Sequence, residues 1–166
     1  ELDTGMAFGT GLHPTTRLCM SALEKYLTGS PRVIDVGTGS GILSITAANL
    51  GAREILALDT DIVAVETAKR NIVFNRAENI VRVEQGSIDP EHFDASSQGT
   101  VESSSNMTSP YDVASCNRFD LACINILAEV ICDLAPALAS ALRCNGIVIA
   151  SGILDYKADD VVDALN

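Results

Sequence analysis

Apolar residues in this chain form short continuous runs that alternate with stripes at helical spacing. The runs predict five β-strands, at residues 32–36, 54–59, 80–88, 119–126 and 146–153. The stripes predict five helices, at residues 14–27, 40–51, 62–72, 129–143 and from about 156 onward. Strands that alternate with helices in this way indicate an α/β fold, with a mostly parallel sheet and helices on both of its faces.

The ends of the predicted helices carry local signals. Pro14 suits a first helical turn, and Asp61 is placed to interact favourably with the positive end of the third helix. Ser40 is expected to cap the second helix, which Gly51 then ends. Pro136 lies inside the fourth helix and is expected to bend it or to split its start.

Residues 94–118 depart from this alternation because Ser, Thr and Asn are abundant in them. We expect a flexible surface insertion there, between the third and fourth strands. Apart from this insertion, residues 1–166 are expected to form one domain. Because the sequence begins with Glu1 and ends with no strand to pair with the fifth one, we expect the protein to continue and to supply further C-terminal strands.

The composition limits the classes of partner. Hydrophobic residues make up 47% of the chain, but no apolar run reaches the length of a membrane span. The formal net charge of −11 disfavours direct contact with nucleic acid and favours a basic, Lys-rich protein as partner. Alternatively, the acidity only maintains solubility.

The cysteines and histidines indicate a reducing compartment and no metal site. Five cysteines, at positions 19, 116, 123, 132 and 144, include no CxxC pair. Buried free thiols in a compartment such as the cytoplasm fit this pattern. His13 and His92 lack the spacing of metal ligands, so no zinc is expected.

A glycine-rich segment, VIDVGTGSGIL at 33–43, follows the first strand and opens the second helix. Glycines at such a turn let the backbone approach a ligand without a Cβ clash. The dinucleotide fingerprint GxGxxG would need Gly at position 42, which is Ile. Gly37, Gly39 and Gly41 instead form GxGxG, the spacing usual in S-adenosylmethionine (AdoMet) methyltransferases. A purely structural turn is the alternative.

Two acidic residues accompany this glycine loop. Asp59 ends the second strand, where a carboxylate can accept hydrogen bonds from the ribose hydroxyls of either NAD or AdoMet. Asp35 lies near the end of the first strand. It is expected to orient the loop or the ligand's ammonium group, or, alternatively, only to bind local amides.

The segment MAFGTGLHPTT at 6–16 leads into the first helix. Thr15 and Thr16 fall in the first helical turn, where unpaired amides and the positive dipole end favour a carboxylate. AdoMet carries one on its methionine part, and Thr16 could add its hydroxyl. The alternative is that both threonines only cap the helix, and His13 is expected to cap it rather than to act as a base.

Four segments together resemble the ribosomal protein L11 methyltransferase family (PrmA). These are LDTGMAFGTGLHPTTRLC, VIDVGTGSGIL, NIL and SGIL, and the resemblance runs from Leu2 to about Leu154 with residues 94–118 as a gap. It implies a Rossmann-like class I fold, AdoMet as cofactor, and methyl transfer to Lys side chains and the N-terminal amine of a ribosomal protein. A cytoplasmic location follows, with plastid or mitochondrion as the alternative.

The resemblance also implies roles for individual residues. Thr16, Gly37 and Asp59 match cofactor-contacting positions. Asn125 matches an Asn that contacts cofactor and faces the transfer site, which makes it the candidate catalytic residue. Phe8 and Thr10 resemble parts of a lid over the methionine end of the cofactor.

The chain also departs from the family pattern. Thr38 stands where Cys is frequent, Thr4 stands where Pro is usual, and the 94–118 insertion is long. Family members carry an N-terminal domain that recognises the ribosomal protein, and no such domain precedes Glu1 in this sequence. We therefore expect residues 1–166 to be the catalytic part.

Other functions remain as alternatives. A methyltransferase acting on glutamine or on nucleobase amines would carry [ND]PP[YF] after the fourth strand, but residues 125–128 read NILA. An NAD-dependent dehydrogenase is disfavoured by Ile42. The remaining alternatives are a methyltransferase for another protein lysine or a small-molecule amine, and a domain that binds AdoMet without catalysis.

Overall fold

A computed structural model of the chain describes residues 13–88 and 119–166. The strands are β1 (Arg32–Val36), β2 (Glu54–Asp59), β3 (Val81–Gln85), β4 (Phe119–Asn125) and β5 (Leu142–Ser151). The helices are α1 (Pro14–Tyr26), α2 (Ile42–Asn49), α3 (Ile62–Phe74), α4 (Ala128–Ala141) and α5 (Ala158–Leu165), the last preceded by a 3-10 turn at Asp155–Lys157. The predicted insertion at 94–118 lies outside the described residues.

The five strands form one parallel sheet in the order β3-β2-β1-β4-β5. Neighbouring residues on β1 point to opposite faces, so that Val33 packs with α1, α2 and α3 while Ile34 packs with α4 and α5. Because both faces are covered, the central strands β1 and β4 are buried along most of their length rather than in alternation. The predicted α/β fold, with a parallel sheet between two helical layers, is confirmed.

Several predicted boundaries need correction. The residue that caps α2 is Gly41 rather than Ser40, because Gly41 takes a left-handed φ of +82° and turns the chain directly into the helix. Pro136 does not split α4, which is one continuous helix. Proline has no backbone N–H, so one hydrogen bond within the helix is lost, but the buried face of α4 stabilises the helix. Strand β5 begins four residues earlier than predicted, directly after α4, and β3 ends at Gln85.

The cysteines differ in their exposure. Cys19 and Cys123 are buried, and burial raises the pKa of both thiols. Cys132 is half-buried and Cys144 is exposed, so the expectation of buried thiols holds for only part of the set; Cys116 lies outside the described residues. None of the helices in the described ranges is long and apolar enough to cross a membrane.

Candidate functional site

A cavity of about 540 Å³ opens at the carboxyl ends of the strands. Strands β2 and β4 flank β1 on opposite sides, so the direction of the connections reverses there, and ligands of open α/β sheets bind at such a switch point. The volume lies within the range of small-molecule sites. Its lining includes Thr16, Gly37, Gly39, Asp59, Asn125 and Leu127.

The glycine loop is held closely between β2 and the segment after β4. The amides of Gly37 and Thr38 both donate to the carbonyl of Leu58, each at 2.9 Å. Gly37 has a φ of +74°, and a Cβ added there would lie 2.6 Å from Cγ2 of Ile126. A larger residue at position 37 would therefore be strained and would collide with a neighbouring side chain.

The carboxylate of Asp59 links the end of β2 to the glycine loop. Its Oδ2 accepts from the amide of Gly39 at 2.9 Å, and its Oδ1 accepts from the amide of Asp61 at 3.0 Å. A carboxylate has about four lone-pair sites, so these two bonds leave capacity for a ligand's hydroxyls. Asp59 lines the cavity, as its predicted role requires.

Asp35 lies beneath the glycine loop and is only 1% exposed. Its Oδ2 accepts from the hydroxyls of Thr38, at 2.7 Å, and Ser44, at 2.6 Å. Its Oδ1 has no hydrogen-bond partner among the described residues. Desolvation by burial raises the pKa of this carboxyl, although the two hydroxyls lower it in part. Asp35 thus joins β1, the loop and α2.

Asn125 ends β4 and lines the cavity on the side opposite Asp59. The chain that leaves β5 passes very close to it. A Cβ added to Gly152 would lie 3.2 Å from Oδ1 of Asn125 and 2.6 Å from the carbonyl oxygen of Ile126. The ends of β4 and β5 therefore fix the Asn125 side of the cavity.

The first turn of α1 contributes Thr16, which is buried and lines the cavity. His13 is the N-cap, since its Nδ1 accepts from the amide of Thr15 at 3.4 Å and lies 2.7 Å from the Thr15 hydroxyl. The capping role predicted for His13 is confirmed, and the threonines are not the cap. Phe8 and Thr10 lie outside the described residues.

Some lining residues were not predicted from the sequence. Thr60 and Gly86 follow β2 and β3, and Leu127 and Val130 follow β4. Their position in the sequence could have identified them, because residues directly after parallel strands meet at one edge of the sheet. Among the described residues, no group of three or more His, Cys, Asp or Glu side chains could hold a metal ion.

The parallel sheet, the glycine loop and the cavity at the switch point define a Rossmann-like methyltransferase fold. The family model described as Ribosomal protein L11 methyltransferase (PrmA) matches residues 1–166. The chain belongs to the ribosomal protein L11 methyltransferase family, and the resemblance noted from the sequence is confirmed.

Individual relatives agree with this assignment. The chain is 44% identical to the ribosomal protein L11 methyltransferase of Chloroflexus aurantiacus, over 98% of this chain and 50% of that protein. It is also 44% identical to the one from Heliobacterium modesticaldum, over 99% of this chain and 45% of that protein. The crystal structure of ribosomal protein L11 methylase from Lactobacillus delbrueckii subsp. bulgaricus has a TM-score of 0.75 and 36% identity, covering 99% of this chain and 72% of that one. The chain thus spans about half the length of the first two relatives.

Proposed function

We propose that this chain forms the AdoMet-binding cleft of an enzyme that methylates amines of ribosomal protein L11, both Lys side chains and the N-terminal amine. The observation that carries the proposal is the cavity in which the glycine loop, Asp59 and Asn125 meet. Family membership of the chain supports it independently.

The described residues fit AdoMet in shape and in chemistry. Glycine at position 37 lets the loop pack directly against Ile126, because a Cβ there would lie 2.6 Å from Cγ2 of that residue. Asp59 would accept hydrogen bonds from the ribose hydroxyls. The amides in the first turn of α1, with the hydroxyl of Thr16, would receive the methionine carboxylate. Gly39 and Gly41 keep the loop in the shape that these contacts need.

AdoMet, when bound, supplies an electrophilic methyl group on a sulfonium. The chain's own residues must present a neutral amine to it. A free lysine with a pKa of about 10.4 is roughly one part in a thousand neutral near pH 7.4, which costs about 4 kcal/mol. The apolar side chains of Leu127 and Val130 at the cavity would lower that cost by desolvating the amine. Asn125 would accept one N–H and so direct the nitrogen lone pair.

The proposed partner is a basic protein. A chain with a net charge of −11 attracts a Lys-rich substrate and repels nucleic acid. The free thiols of Cys19 and Cys123 fit a reducing compartment, for which we propose the cytoplasm, with a plastid or mitochondrion as the alternative.

Isothermal titration calorimetry with AdoMet, its demethylated product AdoHcy, and NAD tests the cofactor. We expect the first two to bind and NAD not to bind. Asp59→Ala should weaken AdoHcy binding by about 10- to 100-fold, since hydrogen bonds to a charged group contribute about 1.5–3 kcal/mol. Glu66→Ala, which removes an exposed carboxylate of α3, is the control and should bind as the wild type does.

The substrate is tested by incubating the chain with purified L11 and AdoMet labelled in its methyl group. We expect little or no label on L11 amines with this chain alone, which spans about half the length of its relatives, and any label should fall further after Asn125→Ala. Binding of NAD in place of AdoHcy would contradict the cofactor assignment. Label on another protein but not on L11 would contradict the substrate assignment alone.

A further inference from the structure

Asn71 is a buried polar residue that the function described so far does not use. It lies on α3 and is 1% exposed. Its Nδ2 donates to the backbone carbonyl of Ser40, 31 residues earlier in the chain, at 2.9 Å. Ser40 lies inside the glycine loop, between Gly39 and Gly41. We propose that Asn71 is a positioning residue for the cofactor site, one that holds this loop in its ligand-binding shape.

The loop meets α3 at two points about one helical turn apart. A Cβ added to Gly41 would lie 3.3 Å from Cβ of Ala68, so the backbone of the loop packs directly on the helix there. Three residues further along α3, Asn71 reaches the carbonyl of Ser40. Residues three apart lie on the same face of a helix, so Ala68 and Asn71 form a single contact surface for the loop.

The same helix is also connected to Asp59. The amide of Asp61, the N-cap of α3, donates to Oδ1 of Asp59, while Oδ2 of Asp59 accepts from Gly39. The loop is therefore anchored at Gly39 by the carboxylate and at Ser40 by Asn71. The two anchors together set the distance between the loop's backbone and the proposed ribose acceptor.

An anchor is needed because the loop is intrinsically adaptable. Gly37, Gly39 and Gly41 all have positive φ values, and glycine samples such conformations freely in either sense. Without the bond from Asn71, the loop would sample more shapes and would lose that freedom when a ligand binds. Loss of the anchor should thus weaken binding more than it weakens folding. This inference rests on the proposed function.

The test uses two variants that differ in how much they change the packing but share the loss of the Nδ2 donor. Asn71→Ala removes the Nδ2 donor and leaves a gap, whereas Asn71→Asp keeps the volume and replaces the donor with an acceptor. Asn75→Ala is the matched control, because it removes a hydrogen bond of 2.7 Å from the Asn75 side chain to the Asn71 carbonyl at the end of the same helix. The control leaves the Asn71 side chain and its contact with Ser40 in place.

Each variant is measured by AdoHcy titration, by thermal unfolding without ligand, and by hydrogen exchange at the amides of Gly39 and Gly41. We expect both Asn71 variants to raise the AdoHcy Kd by tenfold or more and to speed exchange at these two amides. Asn75→Ala should change the Kd by less than twofold, even if its Tm falls as far as the Tm of the Asn71 variants.

Three outcomes would overturn the inference. The first is a Kd within twofold of wild type in the Asn71 variants, and the second is an equal change in Asn75→Ala. The third is failure of both Asn71 variants to fold, which would make Asn71 a residue of the core alone. If the wild type itself binds no AdoHcy, the proposed function fails, and hydrogen exchange then decides whether Asn71 holds the loop.

Discussion

Asp35 shows how one buried residue can stabilise a site and destabilise the fold at the same time. Its Oδ2 joins Thr38 of the loop to Ser44 of α2, while Oδ1 has no hydrogen-bond partner among the described residues. A carboxylate in such a place loses its hydration without full compensation, and its pKa is raised for that reason. Burial therefore shifts the ionisation of Asp35 in the native protein to a higher pH than in the unfolded chain.

The raised pKa of Asp35 leads to a prediction about stability and pH. Between the ordinary value of 3.8 and the raised pKa, the native state binds more protons than the unfolded state. The free energy of unfolding should therefore fall as the pH rises through this range, by up to about 1.4 kcal/mol per pH unit, and this loss should be constant above the raised pKa. The variant Asp35→Asn lacks the ionisation.

Urea unfolding from pH 4 to pH 8 measures this effect. Relative to the wild type, Asp35→Asn should gain stability as the pH rises and then reach a plateau. Asp133→Asn, on the exposed face of α4, removes one charge from the surface and serves as the control. If Asp35→Asn instead gained stability relative to the wild type as the pH falls, the native protein would stabilise Asp35 as a carboxylate.

At the scale of elements, the ends of three strands converge on Ile126. Its Cγ2 occupies the space beside Gly37 after β1, and its carbonyl oxygen occupies the space beside Gly152 after β5. Because β1, β4 and β5 are adjacent in the sheet, these approaches set how closely the three strand ends pack around Asn125. Glycine is required at both positions for steric reasons as well as for its positive φ.

A pair of glycine substitutions separates the two reasons. Gly152 (φ +84°) and Gly29 (φ +72°) share the left-handed conformation, but an added Cβ meets no atom within 4 Å at Gly29. Gly29→Ala should cost about 1–2 kcal/mol, the penalty of that conformation alone. Gly152→Ala should cost about 1–3 kcal/mol more, because the obstructing atom is backbone and cannot move aside. Chemical denaturation of both variants measures the difference, and equal losses would mean that the end of β5 moves freely.

At the scale of the whole molecule, the charge imbalance opposes compactness. The chain carries 22 acidic and 11 basic side chains. Exposed ion pairs such as Lys69 with Glu66 contribute little, about 0–1 kcal/mol each. Repulsion among the excess carboxylates is therefore expected to dominate the response of stability to salt.

Raising NaCl from 0.01 to 0.15 M shortens the Debye length from about 30 to about 8 Å and should raise the Tm. Each kcal/mol of relieved repulsion corresponds to about 2–4 °C for a chain of this size. Asp163→Lys, an exposed change on α5, should raise the Tm at low salt and reduce the response to NaCl. Differential scanning calorimetry at both salt concentrations measures this, and a Tm that falls with NaCl would show that the ion pairs outweigh the repulsion.

The sequence by itself determined the elements of the fold and the edge of the sheet where the cavity lies. Strands β1 and β2 were predicted to the residue, because continuous apolar runs and the glycines after them are local signals. Gly37, Gly39 and Asp59 line the cavity, since the carboxyl ends of parallel strands meet at one edge.

Only the tertiary structure decided which buried residues hold the cavity-lining residues in position. The hydrogen bond from Asn71 to Ser40, the approach of Gly152 to Ile126, and the incomplete hydrogen bonding of Asp35 all join segments that periodicity treats separately. The order of the strands was likewise decided by packing. Periodicity reports which face of an element is apolar, whereas these contacts depend on how elements distant in the chain are oriented against one another.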